Sequence, residues 1–119
     1  MYEIDMYQTQ SGRVPVKEYV QKLVIESKEK ELAQIILYKN RLAEYGMAVN
    51  NTYPETIRKL RDDVYELRPG PNRMFFFYHT GSKLVLLHAY RKHGQKKPPS
   101  EIDKAVKEMK DHKRSKENE

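Results

Sequence analysis

Between Leu67 and Ser100 the chain has no acidic residue. Within that stretch stand Arg68, Arg73, Lys83, Arg91, Lys92, Lys96 and Lys97, with His79, His88 and His93 among them. Tyr78, Tyr90 and the run Phe75-Phe76-Phe77 are interleaved. Guanidinium and ammonium groups beside imidazoles and aromatic rings suit a polyanion, above all nucleic acid. The same residues match the needs of phosphodiester cleavage in RNA. The 2′-hydroxyl must lose a proton, the phosphoryl oxygens must be stabilised, and the 5′-oxygen must gain a proton. Arginine supplies a bidentate fork for phosphate, and preorganised cations often supply the largest catalytic contribution. Histidine is the usual acid or base near neutrality. His93, beside Lys92 after a strand-like run, is the best-placed histidine. His88, inside the apolar run Leu84 to Tyr90, reads as a structural one. His79 reads as a solvated turn residue. Glu66 and Tyr90 are further candidates for the proton. Cysteine is absent, His88 and His93 are five residues apart, and no carboxylate adjoins them in sequence, so no metal-ligand spacing is present and no cofactor is expected.

The 119 residues allow one domain, 1–119, with a modest core. The net charge is +6, and nearly all of the excess lies after Leu60. No apolar run is long enough to span a bilayer, and the first residues lack a signal-peptide pattern, so the cytoplasm is the expected location.

Positioning falls to short elements. Residues 2–7 read as a strand. Pro15 suits the first turn of a helix whose apolar face is Val16, Tyr19, Val20 and Leu23. A second helix is expected from Lys28 to Tyr45, with Leu32, Ile35, Ile36, Leu42 and Ala43 as its stripe and Gly46 as its stop. Residues 47–54 read as a loop. Four β-prone runs follow, 57–60, 64–68, 73–79 and 84–91, separated by Asp62-Asp63, Pro69-Gly70-Pro71-Asn72 and Gly81-Ser82. Short turns in succession predict an antiparallel meander. Ser100 is a candidate N-cap for a last helix with Ile102, Ala105, Val106 and Met109 on one face, and residues 112–119 are expected to fray. The fold class is therefore α+β: a small antiparallel sheet with two N-terminal helices on one face, a C-terminal helix, and the other face left for water or ligand. Alternation places Leu60, Tyr65 and Leu67 toward the core. It places Lys59, Arg61, Glu66, Arg68 and Arg73 on the open face. Parity alone does not decide which half of the last strand joins them.

The pieces YELR (Tyr65 to Arg68), Arg73, LLHAYRKHGQKKP (Leu86 to Pro98), SEIDKA (Ser100 to Ala105) and VPVKEYV (Val14 to Val20) together resemble the HigB-like branch of the RelE/ParE toxin superfamily, a branch that includes phage-derived proteins. The resemblance implies the same α+β fold and a toxin of a type II toxin–antitoxin module. It implies a ribosome-dependent mRNA endoribonuclease in the RelE and HigB manner, or a gyrase poison in the ParE manner. A non-catalytic nucleic-acid-binding module is the third reading. The implied partners are a HigA-type helix-turn-helix antitoxin, mRNA on the ribosome, and operator DNA only through the antitoxin complex. By the same resemblance Arg73 and Lys92 would hold the scissile phosphate, with Arg68 and Arg91 in support. Lys59, Arg61, Lys96 and Lys97 would hold RNA or ribosome. RelE carries a lysine where this chain has Glu66, and its near-terminal tyrosine has no counterpart after Ser100. The general base is left open among His93, Tyr90 and Glu66.

Overall fold

A computed structural model describes residues 1–94 and 99–117, with side chains described through Lys116. Along the chain lie β1 (Glu3–Met6), α1 (Pro15–Ile25), α2 (Glu29–Tyr45), a 3-10 turn (Gly46–Ala48) and α3 (Val49–Thr52). Then come β2 (Ile57–Lys59), β3 (Val64–Leu67), β4 (Asn72–Tyr78), β5 (Lys83–Arg91) and α4 (Pro99–Glu117). The strands form one sheet in the order β1-β5-β4-β3-β2. The meander β2 to β5 is antiparallel as its turns require, whereas β1 joins parallel to β5 and makes the sheet mixed.

Local chemistry explains most boundaries. Pro15 opens α1, which Val14 precedes without a side-chain cap. Gly46 ends α2 at φ +59°, and a Cβ there would meet the Tyr2 ring at 2.3 Å. Gly46→Ala is expected to cost about 1–3 kcal/mol, read as a lower denaturation midpoint. Asp62 and Asp63 both take positive φ, the condition for a two-residue hairpin turn, and Val64 N–H donates to the Arg61 carbonyl at 3.0 Å. The stretch expected as loop after Gly46 instead holds the 3-10 turn and α3, where Val49 is fully buried. Ile36, expected in the α2 stripe, is 59% exposed because the inward arc is Leu32, Ile35, Tyr38, Leu42 and Tyr45.

The sheet has a core on each face. Val16, Leu23, Ile35 and Leu42 of the helical pair pack on Leu67, Met74, Phe76, Leu84 and Leu86. On the opposite face Ala105, Val106 and Met109 of α4 pack on Val64, Phe75, Phe77, Val85 and Leu87. The face expected to be open is thus largely roofed by α4. The helix starts at Pro99, which puts Ser100 inside its first turn rather than at the cap. It continues through the expected frayed region to Glu117, because Tyr7 and Phe77 give His112 an aromatic seat. Leu60 belongs to the α4 core, not to the other.

A β-bulge resolves the parity of β5. Met74 pairs with Ala89 but Phe76 pairs with Leu86, so Leu87 and His88 both stand opposite Phe75. An extra residue reverses alternation beyond it. Val85 and Leu87 face α4, and after the bulge His88 and Tyr90 do so too, while Ala89 returns to the α1/α2 side.

Candidate active site

The polar cluster sits on the α4 face, where β3 and β5 end and β4 begins, beside the first turn of α4. Its centre is Glu66, 2% exposed. A carboxylate buried to that degree requires compensating charge. Arg68 and Arg73 supply it: the Nε atoms of both approach Glu66 Oε1, at 3.8 and 3.7 Å. Tyr90 donates to Glu66 Oε2 at 3.5 Å. Pairing across the sheet explains the meeting. Glu66 opposes Phe75, and Arg73 opposes Tyr90.

The turn between β3 and β4 fixes Arg73. Its Nη1 donates to the carbonyls of Gly70 at 2.6 Å and Asn72 at 2.9 Å. Gly70 holds φ +60°, and a Cβ there would meet Gln34 Oε1 at 2.4 Å, so the turn has no room for a larger residue. Two further constraints hold Tyr90. Its ring stacks on Phe75 with centroids 5.4 Å apart. Its pKa is pushed up to about 12, by burial first and then by the Glu66 charge, partly offset by Arg73. At neutral pH the phenol therefore keeps its proton and is a hydrogen-bond donor to Glu66.

His88 is not a member of this cluster. It is 3% exposed, with Nε2 2.8 Å from Glu101 and Nδ1 against Glu108, both on α4. The structural role expected of it stands, and its partners were invisible in sequence because they lie 13 and 20 residues away. His79 is not simply solvated: its ring meets Phe77 and His112 edge-on, at 5.8 and 5.5 Å.

The remaining expected residues divide. Arg91 lies on the opposite face, paired with Glu31 of α2. Asn72 also donates to Glu31 at 3.0 Å, and Tyr19 donates to Asn72. Burial works to raise the Glu31 pKa, and the hydrogen bonds from Asn72 and Arg91 outweigh it and hold the carboxyl below its usual range. Arg91 is thus a strut between β5 and α2, not a neighbour of Arg73. Lys92 follows β5, its N–H donating to the Pro71 carbonyl at 2.9 Å, and alternation returns it to the side of Tyr90. His93 is exposed just beyond. Lys59 opposes Tyr65 and so points away from Glu66; its neighbour Arg58 is the cross-strand partner of Glu66. Placing Leu60 with Tyr65 toward the core misses Arg58, because Leu60 packs on the α4 side and Arg58, two residues earlier, shares that side with Glu66. Arg61 is engaged by Asp62 and by Asp103 of α4. Lys96 and Lys97 lie outside the described residues. Among the described residues no group of three or more His, Asp or Glu is arranged to hold a metal ion.

At the far end of α4, His112 is wedged among Tyr7, Phe77 and His79. Burial, then the neighbouring His79 and Lys116, push its pKa below the ordinary 6.5. The folded chain thus favours neutral imidazole, while the unfolded chain binds a proton from about pH 6.5 downward. Stability is expected to fall as pH drops through that value and to level off below the depressed pKa. Urea midpoints between about pH 7.5 and 5.5 check this, and His112→Phe should flatten the dependence over that window.

The mixed sheet, its two helical layers and a cationic cluster at the strand ends define a toxin-like fold of the RelE/ParE type. The sequence matches the family described as phage-derived protein Gp49-like (DUF891) over residues 18–110, most of the chain, and the chain belongs to that family. No curated protein matches it. No helix of the described residues is long and apolar enough to cross a membrane.

Proposed function

We propose that this chain is the toxin of a type II toxin–antitoxin module and acts as a HigB-type, ribosome-dependent mRNA endoribonuclease. The observation that carries the reading is the buried Glu66 holding Arg68 and Arg73 together on one side of the sheet. Two guanidiniums set before substrate arrives stabilise charge as it develops on a phosphoryl group, with no reorganisation at the moment of reaction. Arg73 and Lys92 hold the scissile phosphate, and Arg68 supports them. Arg91 acts only by bracing β5. Attack of the 2′-oxygen on phosphorus breaks the bond to the 5′-oxygen and leaves a 2′,3′-cyclic phosphate and a 5′-hydroxyl. His93 is exposed at the strand end and takes or returns the proton; Glu66 is committed to the arginines and Tyr90 retains its own proton. Alignment of the message by the ribosome supplies part of the rate, which suits a site with modest acid–base equipment. A HigA-type antitoxin neutralises the toxin, and operator DNA is contacted only through that complex.

Primer extension on translated mRNA after induced expression tests the reading, with defined internal cuts as the expected result. Inhibition of gyrase supercoiling with intact messages would instead establish a ParE-like poison. Salt-sensitive nucleic-acid binding without growth arrest would establish a binding module.

A further inference from the structure

The outer face of α4 carries a charge separation that the active cluster does not use. The helix has four described carboxylates, and each is engaged by a residue outside it. Glu101 and Glu108 meet His88, Asp103 meets Arg61, and Asp111 accepts from Tyr7. In an isolated helix Asp103 and Asp111 would be the i−4 and i+4 partners of Lys107. Both are drawn away toward the sheet. Lys107, Lys110 and Arg114 are exposed, and among the described residues none of them forms an ion pair. At 100° per residue these three fall within an arc of about 60° and along about 10 Å of helix. Lys104 stands to one side, where it acts on Glu18 of α1, and Lys113 lies over the Phe77 ring. The ridge ends at a cleft of about 670 Å³, which Arg114 lines together with Gln8, Thr9 and Gln10.

We propose that this ridge is a docking surface for the sugar–phosphate backbone of double-helical RNA. Like charges held in line on a convex helix, with the neighbouring carboxylates Asp103 and Asp111 already engaged by Arg61 and Tyr7, match a row of phosphates, and A-form RNA is bound mainly through shape, phosphate and 2′-hydroxyl contacts. The hydroxyl and amide groups of the cleft extend the same chemistry. The choice of RNA over DNA rests on the RNA-cleavage reading above. The surface is separate from the arginine cluster, which lies at the other end of α4.

The test is fluorescence anisotropy with a labelled RNA duplex of about 16 base pairs, comparing the whole chain with the triple variant Lys107→Gln, Lys110→Gln, Arg114→Gln. Loss of three phosphate contacts should weaken binding at least tenfold near physiological salt and flatten the log–log salt slope by about 2–3. The thermal midpoint should hold, since all three side chains are exposed. An unchanged affinity and slope would overturn the surface. So would tighter binding to B-form DNA of the same sequence, or a loss confined to a polyglutamate peptide, which would point to an acidic protein partner. Ridge-dependent RNA binding by a chain that cuts no message would support the surface while retiring the nuclease reading.

Discussion

Replacing Arg73 by alanine is expected to slow cleavage of translated mRNA by on the order of 10²–10³-fold, the effect of deleting one preorganised donor to a developing oxyanion. The side chain is 8% exposed and tethered through Nη1 to the Gly70 and Asn72 carbonyls, so in the proposed site its remaining N–H groups would meet a phosphate without first being ordered. Arg73→Lys keeps the charge but loses the planar fork, and it should recover only a small part of the rate. Primer extension gives the rates, and the thermal midpoints of both variants separate lost chemistry from lost fold. Undiminished cleavage by a folded Arg73→Ala chain would remove Arg73 from the site and with it the assignment of this face.

Glu66→Gln is the second large effect, and it is expected in stability and activity together. The amide keeps the shape and an acceptor for Tyr90 but removes the charge between two guanidiniums. Breaking a buried ion pair by neutralising one partner costs about 3–5 kcal/mol. Arg68 retains 21% of its side-chain exposure, and its access to water brings the expectation to about 2–3 kcal/mol. Equilibrium urea unfolding measures it. Cleavage should fall as well, because Arg68 and Arg73 then repel each other and leave their set positions. A Gln variant as stable and as active as the parent would show that Glu66 anchors neither arginine. Full stability with lost cleavage would instead make Glu66 a participant in proton transfer.

The structure brings Arg68 and Arg73 together on one carboxylate and places Arg91 on the other side of the sheet. Strand residues 73 and 90 are direct partners, so one side of the sheet collects Arg73, Tyr90 and Glu66. One residue further along, Arg91 must point the other way, and there Glu31 and Asn72 are waiting. A basic residue adjacent to a site in sequence is thus on the far side of a strand in space. The same period of two separates Arg58, opposite Glu66, from Lys59. Lys92, half-buried, and His93, exposed, follow the end of the same strand.

What the sequence determined by itself was everything set by neighbours along the chain. Pro15 and Gly46 bounded the first helices, and the Asp62-Asp63 and Pro69 to Asn72 turns imposed the antiparallel meander. Which cations share a face was set by contacts between distant parts of the chain. That depended on a bulge opposite Phe75, on hairpin register at β2, and on α4 returning to cover the sheet. Each is a pairing between residues far apart in sequence, and its energy comes from packing and ion pairing across that separation rather than from local propensity. His88 shows the difference most plainly: its apolar neighbours marked it as structural, while Glu101 and Glu108, brought in by α4, supply the reason it is buried there.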